Sequence, residues 1–415
     1  MRQLVRSVLV LVGFTCGVAP AADQKAPTIP LCPGLTIVTA VHQKDGDYES
    51  IKTIQSVTNL DVRVKYSVER LVDDLFSTGP PTLLKAVLYR TVRRRDLDAA
   101  FLYEQQFSSE LPDTVPETTA IGTSAAVLNA LKTKGEAKLG IFIAYSQKKP
   151  SIDRNTHPNV YDNQMIATIT RVGKTPVMMP VLVNDRLVPL PTIQASGDFF
   201  GDKSEFFFLD DPANPLALKF RVGIGGGQRA ITPEEAKGIG LEPHALPYDK
   251  DVLQVVKISY QCDGAPASPS NASSGPAPAM ADRGTVATAG AGGGDLERAL
   301  SESKQADIYS IYFSFNSDQL REESEPTVKE IADVMRRHPD WKIMVNGHTD
   351  NIGGDQPNLD LSKRRAAAVK EALVKRYGIA ADRLTTSGFG RAQPKDTNDT
   401  LEGRARNRRV ELIRS

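Results

Sequence analysis

Lys342-Ile343-Met344-Val345-Asn346, followed by Gly347-His348-Thr349-Asp350-Asn351-Ile352-Gly353 and by Leu361-Ser362-Lys363-Arg364-Arg365-Ala366, is the stretch on which the fold turns. The first five residues read as a strand. A polar loop from Gly347 to Asp360 leads to a helix in which Ala366, Val369 and Leu373 share a face, and Tyr377-Gly378 closes it with a C-terminal glycine. Upstream, Ile308 to Phe315 has strand composition. Val328, Ile331, Ala332 and Met335 then repeat at helical spacing, in a helix ended by His338-Pro339. Downstream, Arg383 to Ser387 and Arg409 to Ile413 are further strands. Strands separated by helices predict a compact α/β sandwich, a mixed sheet covered by helices.

The wording of the loop goes further. Gly347 to Gly353, Asn358, and Leu361 to Ala366 resemble the OmpA-like peptidoglycan-binding domain family. Gly388-Phe389-Gly390, Gln393-Pro394, Asn398 and the run Glu402 to Leu412 resemble the same family. The resemblance covers roughly residues 305–415.

That family's ligand is the stem peptide of peptidoglycan, whose diaminopimelate presents an ammonium and a carboxylate on one side chain. Such a ligand wants a fixed carboxylate and a fixed guanidinium, because the planar fork of arginine donates two parallel hydrogen bonds to a carboxylate. The resemblance places these roles on Asp350 and Arg365. It also implies that Thr349, Asn358, Leu361, Arg404 and Arg408 line the same pocket. Apart from the surrounding pattern, Asp350 would be a turn cap, and Arg365 would pair with Glu371 or another acid on the helix. His348 reads as a structural hydrogen-bonder, since nothing near it in the sequence forms a nucleophile. Glu402 and the arginines from Arg404 to Arg409 are either mutual ion pairs or ligand contacts. Ile352 and Pro357 stand where members of the family often carry polar or aromatic residues.

Residues 264–295 are mostly Ala, Gly, Pro and Ser and cannot bury enough surface to fold, so they read as a flexible linker. Before it, residues 22–263 read as a mainly β domain. Strands are expected at Lys138–Tyr145, Met165–Val172, Glu205–Leu209, Leu216–Val222 and Val252–Tyr260, with a hairpin about Asn184-Asp185 between Val177–Val183 and Arg186–Leu190. Two stretches read as helices. One is Val64–Phe76, from the spacing of Val68, Leu71, Val72 and Leu75; the other is Thr123–Thr133. Arg90, Arg93, Arg94 and Arg95 read as the solvated face of a helix. The glycines of Gly223 to Gln228 lack the Gly-Lys-Ser/Thr ending of a phosphate loop and read as a turn. His42, His157 and His244 have no metal-ligand spacing, and no Gly-x-Ser-x-Gly is present.

The whole chain has 415 residues, a formal net charge of +1 and 6% aromatic residues. That near-neutral balance argues against a nucleic-acid binder, and the aromatic content against a membrane barrel spanning most of the chain. Residues 1–21 have the layout of a cleaved signal peptide. Arg2 and Arg6 precede the apolar Val8 to Val12, and Ala19-Pro20-Ala21 supplies the cleavage site. An uncleaved anchor helix is the alternative. Cleavage would remove Cys16 and leave no integral span in the mature chain. The remaining Cys32 and Cys262 are then a disulfide pair that ties the first strand of the β region to its last.

Together these features predict a non-enzymatic envelope protein without a cofactor. It would sit in the periplasm at the wall or outer membrane of a diderm bacterium, binding peptidoglycan through its C-terminal domain and carrying an envelope partner on its N-terminal one. The rival expectations are a wall-targeted enzyme with its catalytic site in residues 22–263, and a wall anchor of a stator or secretion apparatus.

Overall fold

The computed structural model describes residues 28–41, 47–72, 81–105, 107, 109–142, 164–199, 202–224, 252–262 and 294–415. The expected signal peptide, residues 264–293 of the linker, His42, His157, His244 and the end of the glycine-rich turn lie outside them.

The larger region is built on β1 (Thr36–Val41), β2 (Tyr48–Val57), β3 (Asp61–Val72), β4 (Thr82–Arg93), β5 (Leu102–Tyr103), β6 (Thr118–Thr119), β7 (Glu136–Phe142), β8 (Gln164–Arg171), β9 (Val177–Val183), β10 (Arg186–Phe199), β11 (Asp202–Leu209), β12 (Ala217–Ile224) and β13 (Val252–Ser259), with short helices α1 (Arg94–Ala99) and α2 (Ala125–Thr133). The strands run β4-β3-β2-β1-β13-β12-β11-β10-β8-β7-β5-β6, and β9 pairs with both β10 and β13. That double pairing closes a ring through β9, β13, β12, β11 and β10. One core gathers Ile37, Val62, Val64, Val181, Leu190 and Leu218. Another packs Leu128 and Leu131 of α2 on Leu139, Phe206 and Phe208.

The Asn184-Asp185 hairpin forms as expected, with both residues at positive φ, 48° and 61°. Such a turn matches the twist of its strands. Helix α2 also forms, with Ser124 as its N-cap accepting from the amide of Val127. Cys32 and Cys262 are bonded, their Cα atoms 6.0 Å apart.

Three expectations are corrected. Of the helix expected over Val64–Phe76, residues 64–72 belong to strand β3, paired with β4 along its whole length from Asp61↔Arg93 to Val72↔Thr82, and residues 73–76 lie outside the described ones. Val62, Val64, Tyr66 and Val68 fall on one face and Arg63, Lys65, Ser67 and Glu69 on the other, and this alternation outweighs the helical spacing that begins at Val68. Arg90 is not on a solvated face; it lies in β4, 1% exposed, with Nη1 on Glu104 at 2.5 Å and Nε on Asp113 at 3.0 Å. The strand expected over 308–315 ends at Ile308. Beyond it, the Tyr309 amide and the Ser310 hydroxyl donate to Asp185 at 3.0 and 2.8 Å instead of to a strand.

The C-terminal region opens with α3 (Asp295–Glu302), so helix begins where the linker was expected to end. There follow β14 (Gln305–Ile308), α4 (Glu325–Arg337), β15 (Ile343–His348), α5 (Asp355–Tyr377), β16 (Leu384–Gly390), α6 (Leu401–Asn407) and β17 (Val410–Arg414). The sheet order is β14-β17-β15-β16; β15 and β16 run parallel, joined through α5, and the other pairs are antiparallel. Leu300 of α3, Val328 and Ile331 of α4, and Ala366, Val369 and Leu373 of α5 cover Val345, Val410 and Leu412 of the sheet. Gly347 and Gly388 let α5 approach closely: a Cβ on either would collide with the backbone at Ser362 or Lys363. Among the described residues no helix is long and apolar enough to cross a membrane.

The two regions are packed together. Val38, Ala40, Ile51 and Val256 meet Tyr312, Leu401 and Ala405 in a small apolar cluster. Around it Arg404 pairs with Asp47, Arg186 with Asp295 at 2.7 Å, and Glu323 with Lys65 and Ser67. The two regions on either side of the expected linker thus share a face.

Candidate functional site

At the end of β15 the chain turns into the polar loop, and the Thr349 amide donates to the Gly390 carbonyl at 2.9 Å. Asp350 accepts the Ile352 amide on Oδ1 at 3.0 Å, the side-chain turn expected of an aspartate here. Its other oxygen, Oδ2, accepts from Arg408 Nη1 at 2.5 Å. Gly353, at φ +91°, reverses the chain. Asn358, in the first turn of α5, then ties the loop down by donating to the Ile352 carbonyl at 3.0 Å. Pro357 also lies in that first turn, where its missing N–H costs nothing.

Arg365 comes from two turns further along α5. Its Nε donates to the Ser317 carbonyl at 2.9 Å, and its guanidinium lies over the Phe313 ring, 4.9 Å from the centroid. Among the described residues no hydrogen bond or ion pair involves its two terminal nitrogens. Burial and the nearby Arg408 lower its pKa to about 10, which leaves it cationic at neutral pH. The Glu371 partner that was the alternative for Arg365 is instead bound to Lys375.

Arg408, just after α6, is the hinge of the site. Its Nη2 reaches Glu49 of β2 at 2.7 Å while Nη1 holds Asp350. Burial works against the Arg408 charge, but Glu49 and Asp350 outweigh it and raise its pKa. Burial alone would likewise raise Glu49; Lys257 and Arg408 reverse that and bring it down to about 2.

A cavity of about 350 Å³ opens between these groups. Thr349, Asp350, Asn358, Leu361, Arg365 and Arg408 all line it, so the structure gathers most of the residues singled out in the sequence. Arg404 lies off this wall, paired with Asp47 and donating to the Asn398 carbonyl at 2.6 Å. Among the other arginines of that run, Arg409 pairs with Asp307 at 3.1 Å and Arg406 with Asp396, while Glu402 accepts from Gln254. His348 is buried beneath, stacked on Phe389 and 3.6 Å from Glu411, with its pKa lowered by burial.

The sequence of residues 312–408 matches the model of the OmpA family. Residues 312–408 are an OmpA-family domain. Outer membrane porin F of Pseudomonas aeruginosa is 43% identical over 101 residues, 24% of this chain and 29% of that protein. The peptidoglycan-binding protein ArfA of Mycobacterium bovis is 45% identical over 83 residues, 20% of this chain and 25% of that protein. The chain thus spans less than a third of the length of either relative. Among solved structures, the peptidoglycan-associated lipoprotein from Burkholderia pseudomallei is 28% identical, with 25% of this chain and 88% of that one covered and a TM-score of 0.24. The family match leaves the residues before 312 uncovered.

The OmpA-family domain does not enclose the cavity alone. Asp47, Tyr48, Glu49, Ile51, Glu69 and Leu71 form its opposite wall. Sequence reasoning missed them all: they are more than 240 residues from the loop, and Glu69 and Leu71 fall in the stretch Val64–Phe76 whose spacing reads as a helix. The apolar Ile352 stands at the rim, 42% exposed. Among the described residues no group of three or more His, Cys, Asp or Glu side chains is arranged to hold a metal ion.

Proposed function

We propose that this chain is an exported protein of the cell envelope that binds peptidoglycan non-covalently through residues 296–415. Asp350 and Arg365 grip the diaminopimelate end of a stem peptide, and residues 22–263 form a second module positioned at the wall. The observation that carries this reading is the pairing of an unengaged guanidinium fork with a buried carboxylate on one cavity. Arg365 Nη1 and Nη2 offer two parallel donors to the ligand carboxylate, and Asp350 accepts its ammonium. Charge-assisted bonds of this kind contribute about 1.5–3 kcal/mol each. Thr349, Asn358 and Leu361 shape the floor between the two ends. The family match and the name of the mycobacterial relative support the ligand class. By its name, porin F supports an envelope setting.

Pull-down with purified sacculi tests the proposal. The parent chain is expected to co-sediment, and Asp350→Ala and Arg365→Ala to remain in the supernatant. Unchanged sedimentation of both variants overturns it.

A further inference from the structure

One wall of the cavity belongs to the β region, and each of the two gripping groups has a residue of that region behind it. Behind Asp350 stands Glu49 of β2, joined to it through Arg408, which donates 2.7 Å to Glu49 and 2.5 Å to Asp350. Behind Arg365 stands Glu69 of β3. It accepts from the Phe315 amide at 2.9 Å and the Ser314 hydroxyl at 3.1 Å. Those residues belong to the loop whose Phe313 ring and Ser317 carbonyl hold the Arg365 guanidinium. The two strands are paired neighbours, with Ser50 opposite Val68, so Glu49 and Glu69 each lie one residue beyond that pair, side by side on the two strands. Two separately supported groups on the wall of one cavity are more than a docking face requires.

We propose that the wall-binding site of this chain is a two-domain site, in which Glu49 and Glu69 of the β region are positioning residues for Asp350 and Arg365 and set the preference for a ligand bearing both an ammonium and a carboxylate. This rests on the reading given under Proposed function. Glu49 shares the Arg408 charge, and that leaves Asp350 able to take a ligand ammonium; without Glu49, Arg408 turns wholly to Asp350 and competes with the ligand. Glu69 fixes the loop beneath Arg365, so the fork meets the carboxylate without reordering. By linkage, ligand seated between the regions favours their docked arrangement as strongly as docking favours the ligand.

The experiment uses the full chain and isothermal titration with three synthetic tripeptides, L-Ala-γ-D-Glu followed by diaminopimelate, lysine or 2-aminopimelate. The second probe lacks the terminal carboxylate and the third the terminal ammonium. The parent is expected to prefer the first probe. Glu49→Gln should weaken the diaminopimelate probe by about tenfold while leaving the aminopimelate probe unchanged, with Glu49→Asp restoring the preference. Glu69→Ala should instead erase the preference over the lysine probe. Equal losses for all three probes reduce both glutamates to docking contacts and overturn the proposal, as does parental binding by both variants. If Asp350→Ala and Arg365→Ala bind the first probe like the parent, the underlying function fails. If they lose it while the glutamate variants keep their full preferences, only the two-domain site fails.

Discussion

Asp185, at the tip of the β9–β10 hairpin, accepts the backbone N–H of Tyr309 at 3.0 Å, so a turn of the β region caps the first irregular residue after β14. The Ser310 hydroxyl fills the second carboxyl oxygen at 2.8 Å. Burial nevertheless raises the Asp185 pKa from 3.8 to about 7. In the unfolded chain the group ionises near its ordinary value; in the folded chain it stays protonated until about pH 7. Stability from this group is therefore full at acid pH and lost as pH rises from about 4 towards 7. Glu330, raised by burial to about 8, acts in the same direction. The melting temperature is expected to fall by about 5 °C between pH 5 and pH 8, and Asp185→Asn to remove much of that slope. A melting temperature that rises over this range refutes the assignment.

At the acid end the sign reverses. Glu49 and Glu411 both have pKa values lowered to about 2, the first by Lys257 and Arg408 and the second by His348 and Asn346, each against burial. Their stabilisation is present above the ordinary glutamate value and disappears as pH falls from about 4.5 towards 2. Chemical denaturation at pH 3 is expected to show a lower midpoint than at pH 5, and Glu49→Gln to narrow the gap.

Arg365→Lys keeps the positive charge and loses the fork. Binding to sacculi is expected to weaken by roughly tenfold while the melting temperature stays near that of the parent, because an ammonium is a point donor where a carboxylate wants two parallel bonds. Equal binding by the lysine variant shows that charge alone suffices.

Gly347→Ala places a methyl group against the Ser362 carbonyl of α5. The helix must shift, and the expected cost is about 1–3 kcal/mol in denaturant midpoint. Arg365 rides on the same helix, so sacculus binding should fall with it; the alanine variant is measured in both assays.

Reducing the Cys32–Cys262 bond, or replacing both residues by serine, releases a loop spanning 230 residues. The expected loss is about 2–5 kcal/mol for the β region, read as a lower melting temperature after reduction. Unaltered melting shows that the β1–β13 ladder holds without the bond.

The OmpA-family domain was legible because its signals are local. The glycine-bounded loop, the helical spacing of Ala366, Val369 and Leu373, and the Asp350 and Arg365 positions lie within one stretch whose residues fold against each other. The β region was legible in its second half, from β7 to β13, with the Asn184-Asp185 turn as its clearest mark. Residues 61–72 misled because Val68, Leu71 and Val72 have helical spacing, while the twelve-residue pairing to β4 that decides the matter is not written in those residues. Arg90 misled for a related reason: its partners, Glu104 and Asp113, are brought to it by the sheet. The far wall of the cavity was illegible in principle, since nothing in Tyr48, Glu49 or Glu69 says which surface the strand will face.

The position of the disulfide has a mechanical meaning. The chain leaves β13 at Ser259, opposite Thr36, and Cys262 is bonded to Cys32 just beyond that rung. If the C-terminal region is held at the wall as proposed, tension along the connecting chain would pull on this end of β13, where hydrogen bonds would otherwise break in succession like the teeth of a zip. The covalent bond clamps the end at which peeling would start and passes the load directly to Cys32 at the head of β1.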